Sequence, residues 1–260
     1  MSNSLKVEKL KYKEILNDIS FTLKDKTFNI LCGPNGCGKS TLIKCILGLN
    51  EYEGSIHIFG ELLTKENEEK LRKRIGALTD FSKLLNGTVL YNIEYPLKNL
   101  DYPEEKVREK AYSICKKLDI LDIAFKEVNE LSISQKKIVL FASAVVSEPN
   151  ILIIDDSFDI FDSYYRKKIM NYLSSKTKST IFFITNKAED YLYADNILIM
   201  NNGKILINEV AKEVLKDEKE FVKNNLELPF LVDLSNKIKS YDLIDDIFLD
   251  VEKMVNSIWK

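Results

Sequence analysis

Two kinds of apolar run alternate along this chain. Short, almost wholly apolar runs stand at Thr27 to Cys32, Ile151 to Ile154 and Thr180 to Ile184. The last two read as central parallel strands covered on both faces. Ile197 to Met200 adds another strand, and Asn201-Asn202-Gly203 then predicts a tight turn into Lys204 to Ile207, a hairpin. Helical spacing marks a second class. Lys39 to Leu47 reads as a helix with Gly48 at its C-terminal cap. Pro103 to Leu118 places Val107, Ala111, Ile114, Cys115 and Leu118 on one face. Gln135 to Val146 predicts another apolar helix, and the charged stretch Thr64 to Arg74 a surface helix. Glu51-Tyr52-Glu53-Gly54 and Gly60 bracket a β run in which His57, the one histidine, takes a solvent-facing position. From about residue 212 the character changes. Leu243, Ile247, Val251, Met254 and Ile258 recur at helical spacing and predict an amphipathic helix, packed on its own core or on another subunit.

Length and composition narrow the classes. The 260 residues suit one large domain or a core with appendages, and 45% hydrophobic with 30% charged residues is ordinary for a globular protein. A net charge of −2 argues against a nucleic-acid module with a broad basic face. No apolar run approaches about 18 residues, so no membrane span is expected. Met1 to Lys9 has no apolar core and does not read as a signal peptide. The expectation is a cytosolic chain whose membrane role, if any, comes through a partner. The four cysteines, Cys32, Cys37, Cys45 and Cys115, form no C-x-x-C pair and read as reduced, small apolar residues.

The chemistry is concentrated between the first run and the first helix. Gly33-Pro34-Asn35-Gly36-Cys37-Gly38-Lys39-Ser40-Thr41 fits G-x-x-x-x-G-K-[ST], the phosphate-binding loop. Its glycines let consecutive N–H groups point at phosphate oxygens. Lys39 supplies a cation for the outer phosphates and Ser40 a hydroxyl for Mg²⁺. The helix behind it presents its positive dipole end to the same anion. A second site follows Ile151 to Ile154, where a buried strand delivers Asp155 and Asp156 to its C-terminal end. Asp155 is the expected Mg²⁺ partner. Asp156 lies next to where the γ-phosphate would sit, placed to polarise the attacking water.

These residues resemble the ATP-binding cassette (ABC) ATPases across nearly the whole chain. The family's L-S-G-G-Q signature is similar to Leu131-Ser132-Ile133-Ser134-Gln135, and Asp159-Ile160-Phe161-Asp162 sits where the family's D-loop ends in Asp. Asp195 and Gly203 match the stretch after the family's switch strand. The ATPases of energy-coupling factor (ECF) transporters, importers of vitamins and metal ions, fit best. Gly87-Thr88-Val89 with Asn92-Ile93 and Leu97-Lys98-Asn99 looks like one segment of that branch. Leu226 to Phe230 with Leu234 and Ile238 looks like its C-terminal extension.

The resemblance implies an α/β P-loop NTPase core, mostly parallel with an N-terminal antiparallel β part, over 1–81 and 150–211. It also implies a helical signature subdomain over 82–149 and a C-terminal helical extension over 212–260, a candidate subunit contact. ATP and Mg²⁺ would be held by Gly33 to Thr41, Asp155 and Asp80. Ser132, Ser134 and Gln135 would serve the partner's site, since two cassettes of this family sandwich two ATP molecules head to tail. Tyr12 is the candidate for stacking adenine. A transmembrane coupling subunit would dock beside Asp80, placing the chain on the cytoplasmic face of the membrane.

Five residues depart from the family. Asp80 stands for a Gln, Ile133 and Ser134 for two glycines, Asp156 for the catalytic Glu and Asn186 for the switch His. The shorter Asp156 pulls a general base back from the water, and Asn186 can hydrogen-bond a phosphate but carries no proton. Binding groups thus persist while the groups that time hydrolysis are altered. This reading favours slow turnover at the chain's own site and a heterodimer with a more complete ATPase. The alternatives are a soluble regulatory cassette that dimerises without hydrolysis and an ATPase of another ABC branch.

Overall fold

The structure, a computed structural model, describes residues 2–155, 163–175, 178–241 and 244–258. Strands β1 (Asn3–Tyr12), β2 (Leu16–Lys24), β4 (Glu53–Ile58) and β5 (Glu61–Leu62) make an antiparallel sheet in the order β2-β1-β4-β5. Strands β3 (Phe28–Cys32), β6 (Ile75–Leu78), β7 (Ile151–Asp155), β8 (Thr180–Ile184), β9 (Asn196–Asn201) and β10 (Lys204–Val210) make the second, in the order β10-β9-β3-β8-β7-β6. All its pairings are parallel except β9 with β10. Asn202 and Gly203 both take left-handed conformations, φ 46° and 72°, as the hairpin turn between those two strands requires.

The apolar runs divide by period two. Ile30, Cys32, Leu152, Ile154, Ile181, Phe183, Ile197 and Ile199 point into one core, filled from the other side by helices. Leu31, Ile151, Ile153, Phe182, Ile184, Leu198 and Met200 point into a second core, closed by β1, β2, β4 and helix α1 (Lys39–Ile46). Each strand is therefore apolar on both faces because each face has its own core. Phe182 and Phe183 are 0% and 1% exposed, on opposite faces. Sealing each is worth about 1.5–3 kcal/mol.

Helix α2 (Glu68–Arg72) is shorter than the expected Thr64 to Arg74. The Asn67 side chain accepts from Thr64 N at 2.8 Å and donates to Leu62 O at 2.8 Å, so a side-chain turn takes the residues that would open the helix. Helices α3 (Val89–Lys98), α4 (Glu104–Leu118) and α5 (Ile133–Val145) pack on one another, and α5 also packs on β6. Helix α6 (Ser163–Ser174) precedes β8. Beyond β10 come α7 (Ala211–Val214), α8 (Glu218–Lys223), α9 (Phe230–Lys239) and α10 (Val251–Ile258).

The tail corrects the expectation of one helix from Leu243. Leu243 lies outside the described residues, and 244–250 is irregular. Polar side chains take the backbone donors there. Ile247 N donates to Asp246 Oδ1 at 2.8 Å, Phe248 N to Ser235 Oγ at 3.1 Å, and Lys253 N to Asp250 Oδ1 at 3.0 Å, which caps α10. Ile244, Ile247 and Met254 are buried on the chain's own surface, whereas Val251 and Val255 stay 62% and 45% exposed. His57 is half-buried rather than solvent-facing, its Nδ1 3.8 Å from Glu8 Oε2 across the β1–β4 pair. The four cysteines are free and buried.

Gly76 marks where the sheet and α5 come closest. A Cβ there would lie 2.2 Å from Ala144 O and 2.7 Å from Pro149 Cγ. Gly76→Ala is expected to lower stability by about 1–3 kcal/mol, read as a shift of the urea midpoint at unchanged slope.

Candidate functional site

The parallel register decides which residues meet. Leu31 of β3 pairs with Ile184 of β8, and Ile184 pairs with Asp155 of β7. Leu78 of β6 pairs with Ile154. Asp155 ends β7 in this row, and Gly33, Asp80 and Asn186 follow within two residues of Leu31, Leu78 and Ile184, so all four emerge at the same C-terminal edge. This is where ligands bind in open parallel sheets.

The loop Gly33 to Thr41 curls between β3 and α1. Close packing explains two of its glycines. A Cβ on Gly33 would sit 1.9 Å from Met200 O, and one on Gly38 (φ 110°) would sit 2.9 Å from Leu16 Cδ2 and 3.0 Å from Met200 Cε. Lys39 Nζ donates to Gly33 O at 2.6 Å and Pro34 O at 3.1 Å, which arches the cation over the loop. Cys37 is sealed beneath it, 6% exposed, and burial pushes its thiol up. Pro34, Asn35, Gly36 and Thr41 complete the loop in sequence.

Ser40 Oγ donates to Asp155 Oδ2 at 3.0 Å. Asp155 is 8% exposed, and burial raises its carboxyl pKa; the Ser40 hydrogen bond opposes that rise, and Asp80 adds to it by repulsion. Asp80 itself is exposed. A hydroxyl, a buried carboxylate and a second carboxylate within electrostatic reach make a site that gains from a divalent cation. Among the described residues no group of three or more His, Cys, Asp or Glu side chains is arranged for a metal. A cation here would therefore need ligand oxygens to complete its shell, as phosphate supplies.

Asn186 Oδ1 accepts from Gly33 N at 3.1 Å, so the switch position is hydrogen-bonded to the phosphate loop itself. Its oxygen is engaged there, which leaves the amide NH₂ as the group with donors to offer. Asp156, Asp159 and Asp162 lie outside the described residues.

The signature segment opens a helix of the 89–145 region rather than joining this edge. Helix α5 begins at Ile133, two residues before the expected Gln135, because Ser132 caps it. Ser132 Oγ accepts from Gln135 N at 3.2 Å, and Gln135 Oε1 accepts from Ser132 N at 3.0 Å, a reciprocal capping box. Ser134 is half-buried, and Ile133 is 65% exposed. Tyr12 ends β1 and packs against the second core, with Lys13 Nζ 5.1 Å from its ring centroid. Sequence reasoning passed over Ile15. It is 43% exposed, and its Cγ2 lies 3.4 Å from the position a Gly38 Cβ would take, an apolar surface at the lip of the loop. Nothing in the pattern around Leu16 announced it.

Asp155 links the site to stability. Its pKa is raised in the fold, so the folded state holds the proton more tightly than the unfolded chain. The associated stability is present below the ordinary carboxylate value of about 4 and is lost as pH rises through the folded value. Asp155→Asn removes that loss. In the absence of nucleotide it is expected to melt at a higher temperature than the wild type at pH 7, with the difference vanishing below about pH 4. Melting curves by circular dichroism across that range check the sign.

Comparison with known proteins identifies the family and the fold. The family model described as "ABC transporter" matches residues 16–159. The energy-coupling factor transporter ATP-binding protein EcfA1 of Staphylococcus aureus is 31% identical over 236 residues, covering 85% of this chain and 87% of that protein. EcfA of Malacoplasma penetrans is 29% identical over 252 residues, covering 95% and 88%. Among solved structures, cbiO1 of Clostridium perfringens, part of the ABC transporter complex cbiONQ, superposes with TM-score 0.73 at 27% identity, covering 90% of this chain and 99% of that one. A dimeric post-hydrolysis state of the cassette MJ0796 bound to ADP and Pi gives 0.72 at 25% identity, covering 80% and 98%. The chain belongs to the ABC transporter family, as one of its nucleotide-binding ATPase subunits.

Proposed function

We propose that the chain is the ATPase subunit of an ECF-type importer of a vitamin or metal ion. In this reading it binds Mg²⁺-ATP at the interface with a second ABC ATPase and works on the cytoplasmic face of the membrane. The observation that carries the reading is a groove of about 590 Å³ along β6, between α2 and the 89–145 helices, lined also by Ser82 and Lys83 just past Asp80. Its floor is Gly76, Ala77, Leu140 and Ala144, with Pro96 and Leu100 on the helical wall. Such a cleft accepts a short helix from a transmembrane coupling subunit, and a movement of β6 would pass to Asp80 within two residues. The naming of the curated relatives as energy-coupling factor ATPases supports the branch.

Each residue then has a task. The N–H groups of Gly33 to Thr41 and Lys39 hold the phosphates. Ser40 and Asp155, with Asp80, would ligate Mg²⁺, which supplies charge neutralisation at the outer phosphates when bound. Asn186 donates its amide hydrogens toward the terminal phosphate, and Asp156 orients the water. Ser132, Ser134 and Gln135 face the partner's nucleotide, and exposed Ile133 sits on the same surface. Tyr12, beside Ile15, offers the stacking face for adenine. The exposed Val251 and Val255 of α10 suit a subunit contact.

Two substitutions, Asp156 for Glu and Asn186 for His, predict slow hydrolysis by this chain alone and favour a heterodimer with an ATPase that keeps both groups. The test is steady-state ATP turnover of the purified chain, before and after Asp156→Glu combined with Asn186→His. The double change is expected to raise kcat by about tenfold or more, a fraction of the roughly 10²–10⁴-fold that a well-placed general base contributes. Turnover by the unmodified chain at the rate of its own double variant would overturn the reading of an eroded site.

A further inference from the structure

An ion pair with a buried carboxylate and a partly buried arginine stands behind the switch residue. Asp190 is 2% exposed, in the turn Ala188–Tyr193 that follows Asn186. Arg166 of α6 directs Nη2 at both of its carboxylate oxygens. Thr185 Oγ1 donates to Asp190 Oδ2 at 2.7 Å, and the same Thr185 oxygen accepts from Lys187 N at 3.0 Å. The residues on both sides of Asn186 are thus held by one hydroxyl, and that hydroxyl is oriented by Asp190. Thr185 N donates to Leu31 O at 3.2 Å, and Asn186 Oδ1 accepts from Gly33 N at 3.1 Å. A continuous path of polar contacts runs from α6 through Asp190 and Thr185 to the opening of the phosphate loop.

This pair is poorly explained by stability. Burying an ion pair is often no better than burying apolar groups of the same volume. Orientation is a better account. A carboxylate this enclosed needs its cation; without it the side chain would turn toward water. That change alters the acceptor of the Thr185 hydroxyl, and with it the turn that aims Asn186. Only one guanidinium nitrogen serves Asp190, and Nη1 is buried with no hydrogen-bond partner among the described residues. A point cation at the Nη2 position would therefore do the same task, so lysine should substitute.

We infer that Arg166 is a positioning residue of the switch: through Asp190 and Thr185 it sets the Asn186 amide against Gly33, and so sets how well the site tells a nucleoside triphosphate from a diphosphate. The inference rests on the reading of Asn186 as the residue that meets the terminal phosphate. The test uses the full chain with Arg166→Met, Arg166→Lys, the double variant Arg166→Met with Asp190→Leu, and Asn186→Ala as reference. Dissociation constants are measured for Mg²⁺-ADP and for the non-hydrolysable Mg²⁺-AMP-PNP, and the Gly33 amide resonance is followed by ¹⁵N NMR. Arg166→Met is expected to weaken AMP-PNP by about tenfold while ADP stays within about twofold, since a small misplacement of a contacting group carries that order of loss. Its Gly33 resonance should shift as in Asn186→Ala, and Arg166→Lys should restore both readouts. The double variant removes both charges together. It keeps the test valid if the single variant fails to fold, and the same discrimination loss is expected from it. Equal weakening of both nucleotides, or of neither, in folded Arg166→Met and the double variant overturns the inference. If Asn186→Ala itself does not discriminate, the reading of Asn186 fails first and takes the inference with it.

Discussion

The site depends on the parallel register of three strands. Leu31, Ile184 and Asp155 share one row across β3, β8 and β7, so the phosphate loop, the switch and the carboxylate leave the sheet side by side. That register is pinned from both faces. Sliding any one strand by a residue would move Phe182, Ile153 or Leu31 from one core to the other and expose none of them to water, yet each would meet the wrong packing partners. The chemistry at the edge is thus positioned by apolar packing beneath it.

That edge is an electrostatic compromise. Asp155 is held in a nearly dry position beside a hydroxyl and within the field of Asp80, which disfavours its charged form. Lys39 is close enough to moderate this, yet its own hydrogen bonds are to loop carbonyls. Behind the edge, Arg166 and Asp190 form a second, better balanced charge cluster.

Much of this was legible in the primary structure. The phosphate loop is legible because its spacing carries the mechanism: G-x-x-x-x-G-K-S needs no long-range information once a strand precedes it and a helix follows. Asp155 was legible because four apolar residues ending in an acid describe a buried strand with a charged tip. The doubly apolar strands also predicted their own burial. The tail was misread for a physical reason. Helical spacing from Leu243 onward is real, but Asp246, Ser235 and Asp250 capture backbone donors between 247 and 253, and spacing does not register such competition. The same holds for Thr64 to Asn67, where Asn67 makes a turn.

The sequence alone determined the ligand class and the α/β architecture, because these follow from local spacing and from the period of apolar residues, and its motifs carried the resemblance to the family. Only the tertiary structure decided which residues stand together. Asn186 on Gly33, Arg166 on Asp190 and Ile15 at the lip of Gly38 join residues more than 20 positions apart in sequence. Such contacts are fixed by strand order and packing depth, which no local window of the chain contains.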